Sequence, residues 1–164
     1  MDVKFTNQKS RFKHRVCAVI INEDKVLGVE INHSDFYCCP GGHVHLGEST
    51  LDAVKRELQE ETGFITKSAK LLAVNENFFG KRNEVEFHEL GFYYLIEVED
   101  FGERDKDFSL TENDEGELVD LDFKWIKLDD LENEEYEFMP VPIAKKLKAR
   151  NFEFEHIITH NLED

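Results

Sequence analysis

No apolar run in this 164-residue chain approaches the length needed to cross a bilayer, and no basic, apolar leader opens it. A membrane-spanning or exported protein is not expected, and the chain is assigned to the cytoplasm. Cysteine is scarce. Three residues, two of them adjacent as Cys38-Cys39, match neither a disulfide framework nor a zinc-ligand spacing, and they read as reduced thiols on a buried strand. There are only three prolines, no internal repeat and no low-complexity linker, so residues 1–164 are expected to form one domain. Basic residues are also few: 20 against 36 acidic ones give a formal net charge of −16. That surface repels duplex nucleic acid, which argues against general DNA or RNA binding. A small phosphorylated substrate would meet the same repulsion unless metal ions supplied local positive charge.

What is present is enough for a packed core: hydrophobic residues make up 40% of the chain and charged ones 34%. Residues 1–14 form an N-terminal arm; with Arg15 the leading segment holds five basic residues against Asp2, and it reads as solvated or as facing phosphate. Arg15 to Ile21 and Lys25 to Ile31 are β-branched runs around the turn Asn22-Glu23-Asp24, which predicts a hairpin. Phe36 to Cys39 reads as a short strand feeding the loop Pro40-Gly41-Gly42. Ile65 to Phe79 and Glu84 to Val98 are further strands, joined by a turn at residues 80–83. Residues 97–122 hold twelve acids against two bases, and 102–117 are expected to be an exposed acidic loop. Leu121 to Lys127 is a strand around Trp125, Leu128 to Leu131 a short helical turn, and Pro140 to Arg150 a final helix with Pro142 in its first turn. Asn151 to His160 closes the chain as a strand. One helix between strands and another near the end make an α+β or sandwich-like plan.

That first helix carries the chemistry. Ser49 followed by Asp52 reads as its N-terminal cap and Gly63 as its stop. At about 100° per residue, Leu51, Val54 and Leu58 share a core-facing stripe. Glu57, Glu60 and Glu61 fall within an arc of roughly 100° beside it, over the small Ala53. Like charges at these spacings repel by a few tenths of a kcal/mol each. A glutamate-rich face is ordinarily just solvated, but a hard divalent cation such as Mg²⁺, which takes oxygen ligands, would turn that repulsion into attraction.

The wider spacing decides between these readings. Gly42, five residues, Glu48, seven residues, and then Arg56-Glu57-Leu58-Gln59-Glu60-Glu61-Thr62-Gly63-Phe64 resembles the signature of the Nudix hydrolases, with every specified position filled. Seven positions demand a particular residue, so at about 7% each a chance match is on the order of 10⁻⁸ per starting point. The resemblance is strong over the 23 residues Gly42–Phe64 and loose from Arg15 to Arg150. It implies the Nudix fold, a mixed β-sheet between α-helices. It also implies hydrolysis of a nucleoside diphosphate linked to another group, with Mg²⁺ or Mn²⁺. By the same resemblance Glu57, Glu60, Glu61 and the Gly42 carbonyl would hold metal, Glu57 or Glu60 would be a candidate base, and Arg56 and Glu48 would brace loop and helix by a salt bridge.

Outside the signature, Glu86, His88 and Glu89 lie on a strand able to aim another group at the site, with Glu89 preferred as a further base. His43 and His45 beside Gly42 are candidates to touch phosphate. Phe78, Phe79, Phe92, Tyr93, Tyr94 and Trp125 are core residues first and base-stacking candidates second. The expected partner is a nucleoside triphosphate, dinucleoside polyphosphate or nucleotide sugar, and a homodimer is left open. Two rivals stand beside this reading. One is a Nudix-fold module that senses a nucleotide without cutting it; the other is mRNA cap removal, which wants a basic surface that the net charge denies.

Overall fold

The computed structural model describes residues 1–164 except 8, 82–83, 115, 134–135 and 164. In chain order its elements are β1 (Lys4–Thr6), β2 (Ser10–Asn22), β3 (Lys25–Ile31), β4 (Gly41–His43), α1 (Thr50–Thr62), β5 (Thr66–Lys81) and β6 (Glu86–Val98). They continue as β7 (Phe108–Asp114), β8 (Glu117–Lys127), α2 (Val141–Lys148) and β9 (Glu155–Glu163). One mixed sheet runs β7-β8-β3-β2-β6-β5-β9, with β1 and β4 also paired to β2.

Strand β2 organises the sheet because it is long enough to serve four neighbours, β1, β3, β4 and β6. Its Ser10–Ile20 stretch runs parallel to Glu86–Ile96 of β6, its far end turns into β3, and Arg15–Cys17 pair antiparallel with β4. Its side chains alternate between two cores, as strand geometry requires. Val16, Ala18 and Ile20 join Ala53, Val54 and Leu58 of α1, whereas Cys17 and Val19 join Ile143, Ala144 and Leu147 of α2. The helices thus cover opposite faces of the sheet, in keeping with the α+β Nudix plan. Burying Val54 and Leu58 completely contributes about 1.5–3 kcal/mol each and fixes how α1 is rolled about its axis.

Several local expectations are corrected. The acidic stretch 102–117 is not a loose loop: Gly102–Asp105 form a 3₁₀ turn, and β7 pairs in register with β8 from Phe108↔Phe123 to Asp114↔Glu117. Phe108 and Leu110 point into the α1 core, while Ser109 and Thr111 hydrogen-bond to Asp122 and Asp120 across the ladder. Charge density masked the period-two pattern. The N-terminal arm is likewise part of the sheet, with Lys4–Thr6 paired to Arg11–Lys13 and residues 10–14 already inside β2. Phe36–Cys39 form only isolated bridges, Val29↔Cys38 and Tyr37↔Phe138, rather than a strand. Leu51 is 38% exposed instead of in the core, whereas Val54 and Leu58 of the same stripe are fully buried. The turn at 80–83 lies partly outside the described residues.

Candidate active site

The helix that carries the acidic edge is capped as its sequence demands. Ser49 Oγ accepts the Asp52 N–H at 3.1 Å and donates to Asp52 Oδ2 at 2.7 Å. At the other end Gly63 takes φ +73°, and its N–H reaches Gln59 O at 2.9 Å. Tyr94 Oη and Thr50 Oγ1, 2.7 Å apart, pin the first turn to β6.

The three box glutamates meet three different environments. Glu61 is 7% exposed, and its Oε2 is buried without a hydrogen-bond partner. Burial first, then the neighbouring carboxylates of Glu112 and Glu57, push its pKa up to about 8. Glu57 is raised by burial, an effect opposed by the Arg56 guanidinium whose Nη1 lies 2.7 Å from Glu57 Oε1. Glu60 is outermost, its side chain 60% exposed and 3.2 Å from the same nitrogen. The backbone of β4 runs directly against this edge: a Cβ at Gly42 would overlap the Glu57 carboxylate. Only glycine lets a main-chain segment come this close.

Arg56 holds the arrangement together. Its Nε and Nη2 donate to the two oxygens of Glu48 at 2.8 and 2.9 Å, and Nη2 also reaches His43 O at 3.1 Å. This forked contact holds the Glu48 carboxyl down at a pKa of about 2. The predicted brace between loop and helix is therefore present in the geometry, with the guanidinium shared between Glu48 and the candidate metal ligand Glu57.

Beyond the box, Glu89 is 9% exposed, with Oε2 lying 3.8 Å from Arg15 Nη1. Arg15 in turn donates through Nη2 to Gly41 O at 3.4 Å. Sequence reasoning counted Arg15 among the basic residues of the leading segment and missed this position. It also missed Glu112, which follows Phe108 and Leu110 at period two on β7 and so shares the face packed toward α1. That alternation was the available signal. His43 is half-buried, and burial, followed by Arg15, pushes its pKa down to about 4. It is thus a neutral ring at pH 7. His45 is more exposed and lies 3.3 Å from Asp2.

Other candidates are used elsewhere. His88 is stacked on Phe78 with ring centroids 4.4 Å apart, and Glu86 is exposed. Tyr93, Tyr94 and Trp125 are core residues; Phe79 stacks on Phe87, and Phe92 packs beside His14. Cys38 is half-buried and Cys17 and Cys39 are buried, with thiols pushed up by burial, which suits packing rather than reactivity.

The donors fit a hard cation. A carboxylate oxygen buried without a hydrogen-bond donor, a second carboxylate against the half-buried backbone of β4, and a third at the rim are all oxygen donors of the kind such an ion takes, with no soft ligand among them. Another group, Glu30, His33 and Asp122, brings ligand atoms within 4.8 Å of one another. It lies toward the surface, however, with His33 Nδ1 3.3 Å from Asp122 Oδ2 and the imidazole side chain 74% exposed.

A family model described as the NUDIX domain matches residues 11–147. The chain belongs to the NUDIX family. Among its NUDIX relatives, a "Probable DHNTP pyrophosphohydrolase" of Lactococcus lactis subsp. cremoris is 34% identical over 121 residues, 71% of this chain and 65% of that protein. An "ADP-ribose pyrophosphatase" of Methanocaldococcus jannaschii is 31% identical over 86 residues, 51% of this chain and 49% of that one. The chain thus spans about half to two-thirds of the length of these relatives. Solved NUDIX neighbours include the mutator protein MutT of Bacillus halodurans, with a TM-score of 0.57 and 20% identity over 88% of this chain and 86% of that one. A structure from a study of MutT in Aliivibrio salmonicida and Vibrio cholerae has a TM-score of 0.56 and 24% identity, covering 85% of this chain and 98% of that one. At such identities these neighbours establish the fold alone. NUDIX proteins generally use divalent metals, which agrees with the donor set described above.

Proposed function

We propose that this chain is a divalent-metal-dependent pyrophosphohydrolase that cuts a nucleoside diphosphate linked to another moiety, with Mg²⁺ as the expected cation and Mn²⁺ as a substitute. The observation that carries the reading is Glu61, a carboxylate oxygen buried without a donor, next to Glu57 and the Gly41–Gly42 backbone. Nothing in a purely structural helix requires a buried acid in that state. The names of the two relatives, a pyrophosphohydrolase and a pyrophosphatase, support the reaction class.

In this reading Glu57, Glu60, Glu61 and the Gly42 carbonyl hold the cation. When bound there, the ion supplies charge neutralisation on the pyrophosphate oxygens and Lewis-acid activation of water. The chain's own residues do the rest. Arg56, anchored on Glu48, keeps Glu57 turned toward β4. Glu89, 3.8 Å from Arg15, and Glu112, whose charge acts on Glu61 from β7, serve as the candidate proton acceptors outside the box. Arg15 is a buried cation at Gly41 and offsets charge that builds on the substrate. The neutral ring of His43 borders the same loop without adding to the negative charge.

The substrate is accordingly a small nucleotide derivative, since the acidic exterior disfavours longer nucleic acid. A panel of nucleoside triphosphates, dinucleoside polyphosphates and nucleotide sugars, incubated with Mg²⁺ and analysed by product, tests this. Release of a nucleotide from at least one member is expected. Tight nucleotide binding with no product under either Mg²⁺ or Mn²⁺ would instead identify a sensing module.

A further inference from the structure

The leading segment, an isolated basic arm when read as sequence, is tied backbone to backbone onto the loop that follows Gly42. Val3 N–H donates to Val44 O at 2.7 Å, Leu46 N–H to Met1 O at 2.7 Å, and Asp2 bridges His45 in the antiparallel sense. Val44 N–H and Val3 O are both held by His14 of β2, each at 3.0 Å. The segment therefore lies as a strap between β2 and the loop.

A polar chain, passing from His45 to Glu48 through the His45 backbone N–H, runs from this strap into the site. Asp2 Oδ1 lies 3.3 Å from His45 Nε2, with the Asp2 side chain only 22% exposed. His45 donates its backbone N–H to Glu48 Oε2 at 3.0 Å, and its ring Nδ1 is 3.9 Å from the same oxygen. Glu48 takes the fork of Arg56, and Arg56 Nη1 touches Glu57. Asp2, whose other oxygen lies 3.1 Å from Lys4 Nζ and 3.8 Å from His43 Nδ1, thus heads a polar series through His45, Glu48 and Arg56 to Glu57, joined at His45 by its backbone N–H. Resting on the metal-site reading above, we infer that Asp2 is a positioning residue for the metal cradle, acting through His45 and Glu48 on the sharing of Arg56.

The physical reason is competition for one guanidinium. While the His45 backbone N–H holds Glu48 in place, Glu48 takes two of the Arg56 donor directions, Nη2 also reaches His43 O, and Nη1 is shared between Glu57 and Glu60. If Asp2 no longer seats the His45 ring, His45 and the backbone N–H it gives to Glu48 shift, Glu48 gains freedom, and Arg56 swings further onto Glu57. The carboxylate that a cation needs is then partly neutralised by an internal cation. Removing a group bonded directly to a metal ligand typically weakens metal affinity by about 10–100-fold, and for Asp2, which acts through three intervening residues, the lower bound applies.

The test is Mn²⁺ binding to the full chain, read by electron paramagnetic resonance without substrate, for the unmodified protein, Asp2→Asn, Asp2→Glu, His45→Gln and the double variant Asp2→Asn/His45→Gln. The expected result is a dissociation constant raised about tenfold by Asp2→Asn, largely restored by Asp2→Glu, and unchanged when Asp2→Asn is added to His45→Gln. Equal Mn²⁺ affinity for Asp2→Asn and the unmodified chain overturns the inference. So does a full additional loss in the double variant, or a loss of affinity that follows a collapse of the thermal midpoint. If the unmodified chain binds no Mn²⁺, the metal-site reading fails and takes this inference with it, which separates the two failures.

Discussion

Metal binding at Glu61 should displace a proton. With its pKa near 8, Glu61 is about ten parts protonated to one part ionised at pH 7 in the metal-free chain. A cation needs the ionised form. Each cation bound at pH 7 should then release close to one proton, about 0.9, and the apparent affinity should rise about tenfold between pH 7 and pH 9.5 as that competition disappears. Calorimetric titration of Mg²⁺ or Mn²⁺ in buffers of different ionisation enthalpy counts the protons directly. Glu61→Gln supplies the reference, because it fills the same space and has no proton to lose.

The same shift sets a trend in stability. The folded pKa of Glu61 is raised, so its contribution is fully present below about pH 4.5 and is lost as the pH rises through about 8. The gap from 4.5 to about 8, at about 1.4 kcal/mol per tenfold, bounds the loss at about 5 kcal/mol. The metal-free protein should melt at progressively lower temperature from pH 6 to pH 9, and Glu61→Gln should flatten that slope. Equal proton release by the two proteins at pH 7, or release by the unmodified chain that persists at pH 9.5, would refute the reasoning.

Four further outcomes follow from the same geometry. Glu60→Gln should lower kcat by about 10²-fold or more with the thermal midpoint unchanged, since that side chain is 60% exposed, as steady-state kinetics and calorimetry will show. Glu112→Gln removes one of the charges that raise Glu61, so the midpoint of its proton release should move to lower pH while turnover falls. Arg56→Lys keeps the charge but loses the fork on Glu48. Because the Glu48 carboxyl is held low, its contribution is present above about pH 4.5 and is lost as the pH falls toward 2, so acid unfolding of Arg56→Lys should begin at higher pH. Gly42→Ala pushes the Glu57 carboxylate aside, and Mn²⁺ affinity should drop by at least about tenfold with little change in secondary structure by circular dichroism.

Much of this was legible in the chain because it depends on neighbours within a few residues. Ser49 and Gly63 bound the helix in the structure as they do in the sequence, since capping is local chemistry. The turn at residues 22–24 returns β2 into β3 for the same reason. Composition misled where charge hid a pattern: β7 alternates Phe108, Leu110 and Glu112 inward, yet twelve acids in residues 97–122 made the stretch read as a loop. The aromatics were read rightly as core at Tyr93, Tyr94 and Trp125, because large rings on a two-faced sheet are buried before they are functional.

By itself, then, the amino-acid order determined the helix, its caps, the crowding of Glu57, Glu60 and Glu61 on one edge, and the family to which that spacing belongs. Tertiary structure decided what those three acids are. It buried Glu61, turned Glu57 onto the Gly42 backbone and left Glu60 in water, a sorting that depends on which faces β4 and the core cover. It also brought Arg15, Glu89, Glu112 and Asp2 to the site from four places in the chain. Periodicity reports which side of an element faces inward, but the identity of the group met there is a property of strand pairing across long sequence separations.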